Sequence, residues 1–102
     1  MEIKWTLPAV DDLKSIYDYI SKDSKYIASS FTDKVVNSVE NLKNFPDMGR
    51  IVPESDKPDI RELIFQNYRI IYKVKDDIIY ILSVIRASRD LSSLKNKPWE
   101  II

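Results

Sequence analysis

The chain has 102 residues and is 44% apolar, enough for one domain with a modest core. It holds no cysteine and no histidine. That excludes a disulfide framework, thiolate chemistry and the commonest metal ligands, so no metal and no cofactor is expected, and acid–base work falls to carboxylates, Lys, Tyr or Arg.

Met1 to Thr6 alternates, with Ile3 and Trp5 on one face and Glu2 and Lys4 on the other, which predicts a short strand. The opening residues are a mixed polar stretch rather than the apolar core of a signal peptide. A helix is expected from about Pro8 to Ser21. Pro8 suits the first turn, Asp11 and Asp12 suit its positive end, and Val10, Leu13, Ile16, Tyr17 and Ile20 form one apolar stripe. Asp23 or Ser24 can cap a second helix, along which Ile27, Ala28, Phe31, Val35, Val39 and Leu42 continue until Pro46 stops it. These two segments, spanning about 8–45, read as an αα-hairpin that buries one stripe of each helix against a sheet.

Asp47 to Asp59 is punctuated by Gly49, Pro53 and Pro58 and reads as a connecting loop. Ile60–Phe65, Tyr68–Lys75 and Ile78–Ile85 then read as a three-stranded antiparallel meander over about 60–85, joined by short polar turns at Gln66-Asn67 and Asp76-Asp77. Tyr68, Ile70, Tyr72 and Val74 should face the core, and Arg69, Ile71, Lys73 and Lys75 the opposite side. The last strand is apolar on both faces and should be an inner one. A helical turn is expected within Ser88 to Leu94, and Asn96 to Ile102 reads as an extended end to a C-terminal tail of 88–102, with Trp99 packing it down. The fold class is α+β with the order β-α-α-β-β-β: an antiparallel sheet with an αα-hairpin on one face, as a single domain over 1–102. The longest nearly apolar run is Ile78 to Ile85, far short of the roughly 20 residues of a membrane span. A soluble, cytoplasmic protein with no membrane association is therefore expected.

Sixteen basic and sixteen acidic residues cancel to zero net charge, which argues against binding nucleic acid through bulk charge. Their distribution is uneven. All five arginines (Arg50, Arg61, Arg69, Arg86 and Arg89) lie in the second half. Arginine recognises carboxylate and phosphate through a planar fork, so a supporting helical half and a recognising sheet half are suggested. With helices on one face, Arg69 should project onto the open, concave face, where Arg61 and Arg86 on neighbouring strands can join it. Such a surface suits phosphates and stacked bases, or equally an acidic or amphipathic peptide. Glu54 is the one carboxylate placed to act as a general base. The competing reading pairs it with Arg50 or Arg61 to fix the loop. Glu62 and Asp90, beside Arg61 and Arg89, are assigned no function on charge alone. Tyr17, Tyr19, Tyr72 and Tyr80 read as core.

Gly49-Arg50, Pro53-Glu54, Ile60-Arg61-Glu62-Leu63, Tyr68-Arg69-Ile70-Ile71-Tyr72, Asp76-Asp77 and Ser88-Arg89-Asp90-Leu91 together resemble the RelE/ParE superfamily of toxins from bacterial toxin–antitoxin modules, as does Ala9 to Ile20. The resemblance covers nearly the whole chain through the order and spacing of these segments. It implies a toxin of the plasmid-stabilisation type, neutralised by a cognate antitoxin and assembled with it as a homodimer or heterotetramer. In RelE-like members, ribonucleases of ribosome-bound mRNA, the resemblance implies Glu54 as base and Arg69 with Arg86 on the scissile phosphate. ParE-like members poison DNA gyrase, for which Arg50, Arg61, Arg69, Arg86 and Arg89 would be contacts to target or antitoxin. This chain departs from the ribonuclease pattern after its last strand: it has no His, and no Tyr beyond Tyr80, to protonate the leaving oxygen. The ParE branch is the closer one, gyrase poisoning the expected activity and mRNA cleavage the alternative. A diverged antitoxin-binding module without toxicity is the second alternative.

Overall fold

The computed structural model describes all residues, Met1–Ile102. In chain order the elements are β1 (Glu2–Trp5), α1 (Leu7–Ser21), α2 (Lys25–Glu40, followed by a 3-10 turn at Asn41–Lys43), β2 (Arg50–Ile51), β3 (Ile60–Phe65), β4 (Tyr68–Lys75) and β5 (Ile78–Arg86), and two further 3-10 turns at Leu91–Ser93 and Pro98–Ile101. They form an α+β layered fold with two helices on one face of a five-stranded sheet of order β1-β5-β4-β3-β2.

The expected antiparallel sheet is in fact mixed, because β1 pairs parallel to β5. At the opposite edge lies β2, a two-residue strand inside what sequence alone reads as loop, which pairs antiparallel to β3. The expected inner position of β5 is borne out, between β1 and β4.

Thr6 starts α1. Its Oγ1 accepts from the Ala9 N–H at 3.3 Å and donates to the Ile81 carbonyl at 2.8 Å, fixing the helix to β5 as it caps it. Ser24 caps α2 by accepting from the Ile27 N–H at 3.1 Å. Asp12, expected to serve the helix dipole, instead reaches the sheet, where Oδ2 accepts from Ser83 Oγ at 2.8 Å and from the Val84 N–H at 3.0 Å. Both groups lie just past a β-bulge at Leu82 of β5, where Ser83 is opposite Ile71 and Val84 opposite Ile70 of β4. Asp12 thereby ties α1 to β5 beside the bulge. At the β4–β5 turn Asp76 and Asp77 both have positive φ, 53° and 60°, as a type I′ turn requires.

The sheet is buried on both faces. Under the helices, Ala9, Phe31, Val35, Val39 and Leu42 pack on Ile70, Tyr72, Ile79, Ile81 and Val84. The other face, expected to be open, carries a second core of Val52, Ile60, Ile71, Leu82, Leu91 and Trp99. The C-terminal residues are therefore no extended tail. They turn twice as 3-10 helix and lay Leu91 and Trp99 on the sheet, because β3, β4 and β5 present apolar side chains there that need cover. Val10 and Ile27, expected in the apolar stripes, and Tyr19, expected in the core, are exposed. No helix is long and apolar enough to cross a membrane.

Candidate functional site

Alternation along β3 and β4 decides where each charge goes. Ile60 and Glu62 face the second core, while Leu63 and Phe65 face the helices. Glu62 is opposite Ile71 and so lies diagonally across from Arg69 on the same face. The two meet through Arg69 Nε and Glu62 Oε1 at 2.6 Å. β2 places Arg50 opposite Glu62, and its Nε reaches Glu62 Oε2, also at 2.6 Å. Past β2 the chain crosses over the sheet, where Val52 is buried in the second core, and Glu54 comes down on Arg69. The pair is bidentate, with Nη1 to Oε2 at 2.8 Å and Nη2 to Oε1 at 2.7 Å.

The result is a linear chain of charges, Arg50–Glu62–Arg69–Glu54, two positive and two negative. Arg69 is 4% exposed and Glu62 1%. Arg69 Nη1 also donates to the Arg89 carbonyl at 2.8 Å, and Glu54 Oε2 accepts from the Leu91 N–H at 2.9 Å. Four of the five N–H donors of a guanidinium are thereby engaged. The hydrogen bonds from Arg69 hold the Glu54 carboxyl down at about 2, and Glu54 in turn raises the Arg69 pKa beyond its already high value. Glu54 thus pairs with Arg69, neither with Arg50 nor with Arg61.

The five arginines do not share one face. Arg50 and Arg69 lie on the second-core face. Arg61, opposite Tyr72, lies on the helix face, where Nη1 donates to the Gly49 carbonyl at 2.8 Å and Nε is 3.6 Å from Asp47 Oδ1. Arg86, expected beside Arg69, is on the helix face too. The bulge shifts the β4–β5 register by one residue, from Tyr72↔Ile81 to Ile71↔Ser83, so that Ile85 and not Val84 ends up opposite Arg69. A one-residue shift sends each later side chain to the other face. The Arg86 guanidinium carbon sits 5.9 Å from the ring centres of both Tyr19 and Tyr68. Arg89 is exposed on the turn that follows.

Two residues outside the expected set complete the frame. Tyr72 is fully buried, and its hydroxyl donates to the Pro46 carbonyl at 2.7 Å and accepts from the Gly49 N–H at 2.9 Å. Burial pushes its phenol upward. Gly49 has no room for a side chain: a Cβ would lie 2.5 Å from the Glu62 carbonyl oxygen and 2.6 Å from the Tyr72 hydroxyl.

The cluster is chemically closed. Arg69 is committed to partners within the chain, and Glu54 is a weak base because its carboxylate is so well stabilised. The arginine-bearing cleft at the end of β5, lined by Tyr19, Tyr68, Arg86 and Arg89, is by contrast open to a ligand.

Residues 3–91 match the model of the ParE toxin of type II toxin–antitoxin systems. The chain is 29% identical over 89 residues to the toxin RelE2 of Caulobacter vibrioides, spanning 86% of this chain and 97% of that protein. A solved structure of a chromosomal ParDE toxin–antitoxin system from P. aeruginosa superposes with a TM-score of 0.73 at 30% identity, over 86% of this chain and 97% of the matched one. The layout of two helices on a mixed sheet, the family match along most of the chain and the likeness to a solved relative agree: the chain belongs to the ParE toxin family of type II toxin–antitoxin systems, within the RelE/ParE superfamily, and membership implies a cognate antitoxin as partner.

Proposed function

We propose that this toxin inhibits growth by binding its target, DNA gyrase, and not by cutting RNA. The observation that carries the reading is the closed state of Arg69. A ribonuclease needs a guanidinium free to meet the developing charge on the phosphate and a base able to take a proton. Here the two candidates for those roles, Arg69 and Glu54, satisfy each other, and Arg69 is buried. No His occurs in the chain and no Tyr follows Tyr80, so the segment after β5 supplies neither of these residues to protonate a leaving oxygen. The match to the ParE model supports the gyrase branch. In this reading Arg50, Arg86 and Arg89 contact target or antitoxin directly, Arg61 holds the Gly49 loop, and Arg69 supports the surface from beneath.

The test is a supercoiling reaction with purified toxin, gyrase, ATP and relaxed plasmid. Loss of supercoiling with accumulation of linear DNA is the expected result; undiminished supercoiling would remove gyrase as the target. Ribosome-dependent mRNA cleavage is the second reading. It is favoured by one observation, that Arg86 and Arg89 are open to a ligand at the end of β5, and it requires Glu54 to release Arg69.

A further inference from the structure

Near its end β5 carries two apolar neighbours, Val84 and Ile85. Val84 faces the helices and Ile85 the second core. Exchanging them would still leave an apolar side chain on each face, so burial does not choose between the two registers open to this end of the strand. In the regular register Leu82 would stand opposite Ile71 and Val84 opposite Arg69, and Arg86 would share the face of Arg69. In the structure Leu82 is instead the extra residue of the bulge, Ile85 stands opposite Arg69, and Arg86 stands opposite Tyr68. A contact other than burial must select the bulged register.

That contact comes from α1. β1 ends at Trp5, opposite Ile81, so the outer edge of β5 has no strand beside it from Leu82 onward. A bare edge leaves backbone groups in need of partners. Two side chains from one helix serve it. Thr6, the N-cap, donates through Oγ1 to the Ile81 carbonyl at 2.8 Å and lies 3.4 Å from the Leu82 carbonyl. Asp12, less than two turns along, accepts from the Ser83 hydroxyl at 2.8 Å and from the Val84 N–H at 3.0 Å on one oxygen. Leu82 is thus bracketed on both sides. The same helix carries Tyr19, seven residues beyond Asp12 and therefore on the same face. The Tyr19 ring centre lies 5.9 Å from the Arg86 guanidinium carbon, and Asp12, Tyr19 and Arg86 line one cleft. α1 supplies both a clamp on the strand and a seat for the arginine that the clamp brings round.

We infer that Asp12 is a positioning residue: by holding the Ser83 hydroxyl and the Val84 N–H it selects the bulged register of β5, and that register presents Arg86 beside α1 and away from Arg69. An amide oxygen accepts the same two hydrogen bonds as a carboxylate oxygen, so an acceptor is required at this position and a charge is not. The consequence for activity rests on the reading of Arg86 as a contact to the target; the register does not.

The experiment compares wild type, Asp12→Ala and Asp12→Asn by NMR in isotopically labelled protein, reading nuclear Overhauser contacts between β4 and β5 and the Arg86 Nε–H resonance. Wild type should show Ile85 opposite Arg69 and an Arg86 signal displaced by the Tyr19 and Tyr68 rings. Asp12→Ala should show Val84 opposite Arg69 and an Arg86 signal without that displacement, and Asp12→Asn should restore the wild-type pattern. Ile85 still opposite Arg69 in Asp12→Ala would overturn the proposal, as would an Asp12→Asn protein in the regular register. If Asp12→Ala does not fold, Ser83→Ala decides: losing one of the two donors should give a second set of Arg69 and Arg86 signals, and a single wild-type set would overturn the proposal. In the supercoiling assay Asp12→Ala should need at least about tenfold more toxin for half inhibition, the scale of losing a charge-assisted hydrogen bond, while Asp12→Asn should match wild type. Full inhibition by Asp12→Ala in the shifted register would overturn the role in activity. Wild-type toxin that leaves gyrase untouched is a failure of the gyrase reading alone, since the register is read without gyrase.

Discussion

At the scale of single residues, Arg69 carries a full charge in an almost fully buried site. It remains there because two carboxylates and a carbonyl surround it. A buried ion pair adds little net stability over an apolar substitute, but removing one partner strands the other charge. Glu54→Gln should therefore lower unfolding stability by about 3 kcal/mol, seen as a lower denaturant midpoint at unchanged slope. The same pair predicts a pH response. The Glu54 pKa is depressed in the folded state, from 4.5 to about 2, so its contribution is complete above pH 4.5 and is lost as pH falls from there toward 2. Acid titration of stability should be steeper in the wild type than in Glu54→Gln across that window. At Gly49 the obstacle is steric, and Gly49→Ala should cost about 1–3 kcal/mol in the same measurement, since a Cβ would meet backbone and a fixed phenol. Much of this cluster was within reach of the sequence. The Gln66-Asn67 turn fixes Phe65 opposite Tyr68, which alone sets Glu62 diagonal to Arg69. Arg61 follows by alternation, since Leu63 and Phe65 on its face are core. The partner of Glu54 was not legible, because it depends on how a loop crosses the sheet.

At the scale of elements, the helices and the three long strands were legible because periods of 3.6 and 2 run through each for several turns or pairs. β2 was not, since two residues carry no period. Nor was the bulge in β5, which lies beside a tertiary contact: Asp12 from α1 takes the Ser83 hydroxyl and the Val84 N–H. That single residue of register moved Arg86 from one face of the sheet to the other. The C-terminal turns do carry a signal: Leu91, Leu94, Trp99 and Ile102 recur along the segment, and the outer face of β4 and β5 has apolar residues to cover. This segment is a structural lid on the second core. Trp99→Ala should cost about 3–5 kcal/mol, and amide exchange should quicken from Leu91 to Trp99 before it does in β4 or β5.

At the scale of the molecule, the fold uses its charges unevenly. One set is spent inward, binding the loop, β3, β4 and the C-terminal segment into a closed chain of ion pairs. The other set stays outside, at the end of β5. A ribonuclease would need Arg69 and Glu54 free, and a binding toxin needs only the exposed arginines. The two mechanisms are separated most directly by primer extension on mRNA from a translation reaction containing the purified wild-type protein. Uncut message is the predicted result; cuts at fixed positions within codons would contradict it and return Arg69 and Glu54 to catalysis.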